Sequence, residues 1–170
     1  ETVVVLGAGP IGLLFTLFLK ACGSARIIVS ETSAYRRRAA ESCGTDRVVD
    51  PKAEDLAEAV RRETGTGADV VVEAVGPLLP EALRLARGGG RILELGTDEL
   101  ARPQLPVAEI LRKEITIYGS FIGRFAFHKL PRLMASGVLP LEKIVSHRFP
   151  LSRVHEGLDL LRRGQAVKVV

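Results

Sequence analysis

Apolar residues in this chain come in short unbroken runs, each closed by glycine, proline or a charged residue. Val3–Leu6, Arg26–Ser30, Asp69–Val75 and Arg91–Leu95 are rich in Val, Ile and Leu. Their length and β-branched content predict strands buried on both faces. Arg47–Val49 and Glu114–Tyr118 predict two more. The segments between them read as helices: Leu13–Cys22 ended by Gly23, Ala34–Ser42 behind a capping Ser33, and Glu54–Thr64 with Leu56, Ala57, Val60 and Arg61 at helical spacing. Pro77 and Pro80 open a helix through Ala86, and Gly88–Gly90 turn the chain into the next strand. Val107–Arg112 and Phe125–Ala135 complete the helical set. Beyond them, Ile144–Phe149 reads as a strand, Ser152 as the cap of a helix over Arg153–Arg162, and Ala166–Val170 as a final apolar strand.

Strands alternating with helices at this rhythm imply βαβ units and a parallel sheet with right-handed crossovers. The expected fold is a doubly wound α/β domain; if it is a dinucleotide fold of the Rossmann type, its six parallel strands take the order 3-2-1-4-5-6, because the two halves meet at strands 1 and 4.

Composition narrows the class. The 170 residues suffice for one domain with a sizeable core. No run of about 18 uncharged apolar residues is present, so no membrane partner is expected. Two cysteines, Cys22 and Cys43, are too few for a disulfide framework and form no CxxC pair, which points to a reducing, cytoplasmic setting. The net charge of +4 is spread along the chain apart from Arg36–Arg38 and Arg61–Arg62. With aromatics at 5% and no Trp, there is no stacking surface for nucleic acid. The chain opens on Glu1 rather than Met and runs straight into a strand, so the expectation is a domain cut from a longer protein.

The chemistry sits at the strand ends. Gly7-Ala8-Gly9-Pro10-Ile11-Gly12 lies between a buried strand and a helix, the context in which GxGxxG signals a dinucleotide. Gly7 would allow the tight turn, Gly9 the approach of the pyrophosphate, and Gly12 close helix–strand packing. The helix start would offer free N–H groups and partial positive charge to the phosphates. Glu31 ends the second strand about twenty residues on, where a carboxylate can accept from both adenosine ribose hydroxyls and repel a 2′-phosphate. That favours NAD over NADP, although Arg36–Arg38 follow closely and an arginine here can take a 2′-phosphate. Arg36 is the best placed of the three. Glu73 ends the fourth strand at the ligand-binding edge and reads as a structural carboxylate rather than a catalytic one. Gly76 and Gly96 leave bare backbone on the same edge, suited to a flat nicotinamide. His128, His147 and His155 have no metal spacing, and no GxSxG, HExxH or GxxxxGK[ST] is present.

On these residues the chain resembles the cofactor domain of the medium-chain, zinc-dependent alcohol dehydrogenases, nearest the sorbitol, butanediol and threonine dehydrogenase branch. The stretches VVVLGAGPIGLL, IIVSETSAYRR, GADVVVEAVG, GGGRILELG, KEITIYGSFIG and HRFPLSRVHEGLDLLRRGQAVKVV carry the likeness. The resemblance implies that Gly7, Gly9, Pro10, Ile11 and Gly12 hold the pyrophosphate, and that Glu31 binds the adenosine ribose with support from Arg36. Ala74 and Val75 would line the adenine and ribose channel. Leu95, Gly96 and Thr97 would lie beside the nicotinamide, and Ser120 and Ile122 would meet its carboxamide. It further implies hydride transfer between a small secondary alcohol or polyol and NAD, with zinc as the Lewis acid. The zinc ligands belong to an N-terminal half outside this sequence, so no catalytic or metal residue is assigned here and the chain alone should not turn over. Residues 1–138 would form the cofactor domain, and 139–170 would pack on the other half. Without that partner, Ile144–Phe149 and Val167–Val170 should be exposed, disordered or paired with another chain. Relatives associate near the sixth strand, making Thr116–Ile122 a candidate edge for a homodimer or tetramer. The alternatives are a zinc-free, NADP-dependent quinone or enoyl reductase domain and a non-catalytic NAD-sensing module. A methyltransferase is disfavoured by the spacing to Glu31.

Overall fold

The computed structural model describes residues 1–24, 26–121 and 127–170. Its centre is a six-stranded, all-parallel sheet. The strands are β1 (Thr2–Leu6), β2 (Arg26–Ser30), β3 (Arg47–Val49), β4 (Ala68–Glu73), β5 (Ala86–Glu94) and β6 (Thr116–Gly119). Their order across the sheet is β3-β2-β1-β4-β5-β6, as expected for a dinucleotide fold. Leu6 on β1 pairs with Ser30 on one side and Glu73 on the other, so the carboxyl ends of the three central strands finish level.

Helices cover both faces. Helices α1 (Pro10–Ala21) and α2 (Ala34–Ser42) lie on one. Here Val3, Val5, Leu13, Leu17, Ile27 and Val29 form a buried cluster. Helices α3 (Leu56–Thr64), α4 (Leu79–Leu85) and α5 (Val107–Lys113) lie on the other, over Val4, Leu6, Ile28, Val71 and Ile92. Adjacent β1 residues therefore feed opposite cores, which is why the strand is apolar at every position from Val3 to Leu6. Burial of these side chains, at roughly 25 cal/mol per Å² of apolar surface, is the main stabilising term.

The helix starts follow local chemistry. Ser33 caps α2 by accepting from the Arg36 amide, and Asp55 caps α3 by accepting from the Glu58 amide at 2.9 Å. The second cap moves the start of α3 from the expected Glu54 to Leu56. The fifth strand begins at Ala86, so the triple glycine runs within it rather than turning ahead of it, and the register against β4 shifts between Ala68 and Val70.

The C-terminal segment corrects the sequence reading most. Residues Val145–His147 (β7) and Lys168–Val169 (β8) form a parallel pair of their own. Ile144, Ala166 and Val167 are buried, and Ile144 and Val167 join the α1/α2 core beside Leu139. Lys143 Nζ donates to the Ser42 carbonyl at 2.7 Å. The strand apolarity thus serves this domain's own core. The outer side does expose apolar groups, with Leu151 at 87%. Between β8 and α7 (Val154–Arg162), an open groove is lined by Phe149, Leu151, Val154, Leu158 and Val170. Ser152 does not cap α7, because a 3₁₀ turn over Leu151–Arg153 leads into it and Arg153 takes the cap position. The remaining helix, α6, spans Leu130–Ala135. The start of its expected range, Phe125 and Ala126, lies outside the described residues, as does Ile122.

Candidate cofactor site

The carboxyl edge of the sheet opens into two neighbouring clefts, one beyond β1, β2 and β4 and one beyond β5 and β6. The first encloses about 370 Å³ and brings together Gly7, Gly9, Glu31, Arg36, Ala74 and Val75, six of the residues singled out by sequence. The second, about 420 Å³, gathers Leu95, Gly96, Thr97 and Ser120.

The three loop glycines differ in what requires them. Gly7 has φ +92° and would put a Cβ 2.9 Å from Val75 Cγ2. A Cβ on Gly12 would fall 1.9 Å from the Gly7 carbonyl oxygen, so packing of α1 against the loop demands its absence. Gly9 is unlike both, because its conformation is open to any residue (φ −70°, ψ −179°) and nothing lies within 4 Å of the Cβ position. The fold itself does not need glycine there. A molecule approaching that backbone would. Helix α1 then begins with Pro10, which has no amide hydrogen, and the N–H groups of its first turn lack intrahelical acceptors. Ile11 in that turn is 48% exposed.

Glu31 is 8% exposed. Its Oε2 accepts from the Ala8 amide at 2.8 Å, tying it to the glycine loop. Its Oε1 accepts from the Ser33 amide at 2.8 Å and the Thr32 hydroxyl at 3.3 Å. A carboxylate offers about four lone-pair sites, so after three contacts roughly one, on Oε2, remains for a ligand hydroxyl. The sequence reading aimed this side chain at a ligand alone. The structure gives it a second task, joining the ends of β1 and β2.

The arginines separate clearly. Arg37 is committed: it donates to the Glu31 and Thr32 carbonyls and pairs with Asp50 at 2.9 Å. Arg36 lines the cleft, with Nε donating to the Ala166 carbonyl at 3.2 Å. Ser33 donates to the Gly164 carbonyl at 2.6 Å. The C-terminal segment therefore holds α2 beside the first cleft, a link with no local signal because its partners lie about 130 residues apart in sequence.

Glu73 is fully buried. Its Oε1 accepts from the Val75 and Gly76 amides and its Oε2 from the Gly76 amide, all at 2.9 Å. This is the structural role expected of it. A Cβ on Gly96 would meet the Gly76 nitrogen at 2.2 Å and Glu73 Oε2 at 2.5 Å. Gly96 is bare because this carboxylate and loop crowd it, not because a ligand must approach.

Sequence reasoning passed over Glu94. It ends β5 in register with Glu73, and its Oε2 is buried with no partner among the described residues. Burial, then the hydrogen bond to Glu73 and that group's charge, push its pKa up to about 8. Its signal was a lone carboxylate between Ile92-Leu93 and Leu95. No group of three His, Cys, Asp or Glu residues that could hold a metal occurs among the described residues, so they do not fit a zinc ion. No helix among them is long and apolar enough to cross a membrane.

A parallel sheet in this order, with a glycine loop on its first strand and an acidic residue ending its second, defines a dinucleotide-binding domain. Residues 10–136 match the family model described as zinc-binding dehydrogenase, and the chain belongs to that family. It is 32% identical over 174 residues to sorbitol dehydrogenase of Bombyx mori, covering 99% of this chain and 50% of that protein. Among solved structures, alcohol dehydrogenase TADH from Thermus sp. ATN1 superposes with a TM-score of 0.92 at 34% identity, covering 99% of this chain and 50% of that one. Two similar structures carry nicotinamide cofactors. An alcohol dehydrogenase (rspB) from E. coli CFT073 was determined with NADH (TM-score 0.89, 27% identity, 99% of this chain and 51% of that one). A putative zinc-binding dehydrogenase from Sinorhizobium meliloti 1021 was determined with NADP (0.86, 31%, 99% and 51%). The chain spans about half the length of the relatives it matches. It corresponds to the cofactor-binding half of these enzymes.

Proposed function

We propose that this chain holds NAD(H) for an alcohol or polyol dehydrogenase, with the adenosine in the first cleft, the diphosphate over Gly9 and the start of α1, and the nicotinamide in the second cleft. The observation that carries the reading is the open space above Gly9 beside a Glu31 carboxylate fixed to the same loop. Glu31 accepts from one ribose hydroxyl through Oε2 and places a negative charge where NADP would bring a phosphate. Arg36, Ala74 and Val75 wall the adenosine side. Pro10, Ile11 and Gly12 present the helix start to the diphosphate. Leu95, Gly96, Thr97 and Ser120 flank the nicotinamide, and the reading extends to Ile122. When bound, the nicotinamide supplies the hydride acceptor or donor; this chain binds, orients and excludes water.

The described residues offer no zinc donor set. The alcohol, and any metal acting on it, meet the cofactor through another half. Residues 139–170 join the two, presenting Leu151, Val154 and Leu158 to it. The β6 edge, with Tyr118 53% and Phe121 71% exposed, is where a homodimer or tetramer would form. The unpaired Cys22 and Cys43 suit a cytoplasmic setting.

The test is a fluorescence titration of NADH and NADPH against the chain and against Glu31→Ala. NADH binds the parent at least about tenfold more tightly than NADPH, a gap of about 1.4 kcal/mol, and the substitution narrows it. Preference for NADPH overturns the cofactor assignment in favour of the reductase alternative. Alcohol oxidation by the chain alone overturns the division of labour.

A further inference from the structure

We propose that Glu73 and Glu94 hold a single proton between them, and that this proton clamps together the strand ends separating the two clefts. Both side chains project to the α4 side of the sheet at the last positions of adjacent strands. Glu73 spends its oxygens on the Val75 and Gly76 amides, so it fixes the backbone that continues from the wall of the first cleft. Its main-chain carbonyl accepts from the Leu95 and Gly96 amides, at 3.1 and 2.9 Å, which start the wall of the second. Glu94 accepts through its own carbonyl from the Ser120 amide at 2.9 Å. A carboxylic acid on Glu94 donates its hydrogen to the Glu73 carboxylate. A carboxylate there sets a second negative charge beside the buried Glu73, with Oε2 buried and lacking a partner among the described residues.

No described cation relieves that repulsion. The loop after β5 adds Asp98, Glu99 and Arg102; Asp98 Oδ1 accepts from the Leu100 and Ala101 amides, and the Arg102 guanidinium donates to the Glu99 and Ala101 carbonyls. On α4, Arg84 pairs with Glu81 at 2.9 Å. On α5, Lys113 donates to the Leu83 and Ala86 carbonyls at the opposite end of β5, with Glu109 and Arg112 beside it. On β6, Tyr118 is in register with Leu93, and so on the other face from Glu94. Arg91 also faces away and bonds Glu1. When the pair loses its proton to solvent, the strand ends separate and the clefts lose their relative placement. Glu94 is in this sense a positioning residue.

The consequence for cofactor rests on the proposed function; the proton itself does not. Infrared spectroscopy of the cofactor-free chain, titrated between about pH 6 and about pH 9.5, follows the carboxylic acid C=O band. One band persists at neutral pH, disappears across the alkaline range, and is missing in Glu94→Gln. NADH titrations over the same range fall in affinity by about tenfold in the parent, while Glu94→Gln, whose amide still donates to Glu73, is level with pH. Absence of the band in the parent overturns the shared proton, as does an undiminished band in the variant. An equal alkaline fall in both proteins overturns the clamp. A band without NADH binding at any pH leaves the proton standing and sinks the cofactor reading instead. Because the infrared titration needs only the parent, a misfolded variant does not block the test.

Discussion

Replacing Gly9 and Gly12 separately by alanine distinguishes a loop shaped for folding from one shaped for a ligand. At Gly12 the added carbon would sit 1.9 Å from the Gly7 carbonyl oxygen and 3.0 Å from its carbon, both backbone atoms that cannot rotate away. Alanine's better helix propensity returns about 1 kcal/mol, but moving α1 off the loop costs more, leaving Gly12→Ala destabilised by roughly 2–4 kcal/mol. For a chain of this size that lowers Tm by roughly 5–15 °C. At Gly9 nothing lies within 4 Å, and φ −70° with ψ −179° is ordinary for alanine. The entropy gained by restricting the unfolded chain, about 0.4–1 kcal/mol, offsets the poorer helix cap. Gly9→Ala should therefore melt within about 2 °C of the parent. Its methyl group nevertheless occupies the space assigned to the diphosphate, and NADH affinity should fall at least about tenfold. Thermal melts and fluorescence titrations on the same samples separate the effects. If Gly9→Ala binds NADH as the parent does, the diphosphate does not lie over that backbone and the assignment of the loop is wrong.

Glu94 should make stability depend on pH. Its raised pKa means the folded chain keeps a proton that the unfolded chain releases above the ordinary carboxyl value of 4.5. Stability therefore declines as pH rises from there towards about 8, then levels off. Allowing for solvent screening at a partly exposed group, the total is about 1–3 kcal/mol, and urea unfolding of Glu94→Gln should lack this slope. Parallel pH profiles for the two proteins would contradict it. Ser33→Ala loses both the α2 cap and the bond to Gly164, costing about 1–2 kcal/mol in thermal unfolding, and Ser33→Asp restores only the cap. Arg36→Ala should weaken NADH by roughly threefold to tenfold while changing stability by about 1 kcal/mol or less, read by titration and melting in parallel.

The strands and the glycine loop were legible because they rest on local facts: unbroken apolar runs mean burial on two faces, and Gly7 at φ +92° needs glycine whatever surrounds it; the strand order followed from the dinucleotide fold that the loop signals. Glu31 was legible by its distance from that loop. What stayed hidden depends on which residues meet across the fold. Gly96 looked like a surface for a ligand, but only the arrival of Glu73 from a neighbouring strand explains it. Glu94 lay unremarked inside the run Arg91–Leu95, and its chemistry appears only when register sets it beside Glu73. The start of α3 moved because Asp55 caps the helix and leaves Glu54 outside it, which helical spacing alone does not reveal.

The C-terminal segment shows why apolarity alone could not assign its partner. Its inner residues, Ile144 and Val167, are buried against α1 and α2, whereas Leu151 on its outer side is almost fully exposed. A segment that served only another domain would have little reason to insert side chains into this core. One that served only this core would have little reason to keep Phe149, Leu151, Val154 and Leu158 along an open groove. Having both faces apolar makes it a joint rather than a tail. Its inner face also holds Ser33 and Arg36 at the adenosine side through the Gly164 and Ala166 carbonyls. Force applied to the outer face would thus reach the first cleft through two hydrogen bonds. Mutating Leu158 to Asp tests how rigid that joint is: at 40% exposure it should change stability by about 1 kcal/mol or less. If the segment is held by its inner face, NADH affinity should also stay within about twofold. A larger loss of affinity at unchanged stability would mean that the groove and the cofactor cleft are coupled.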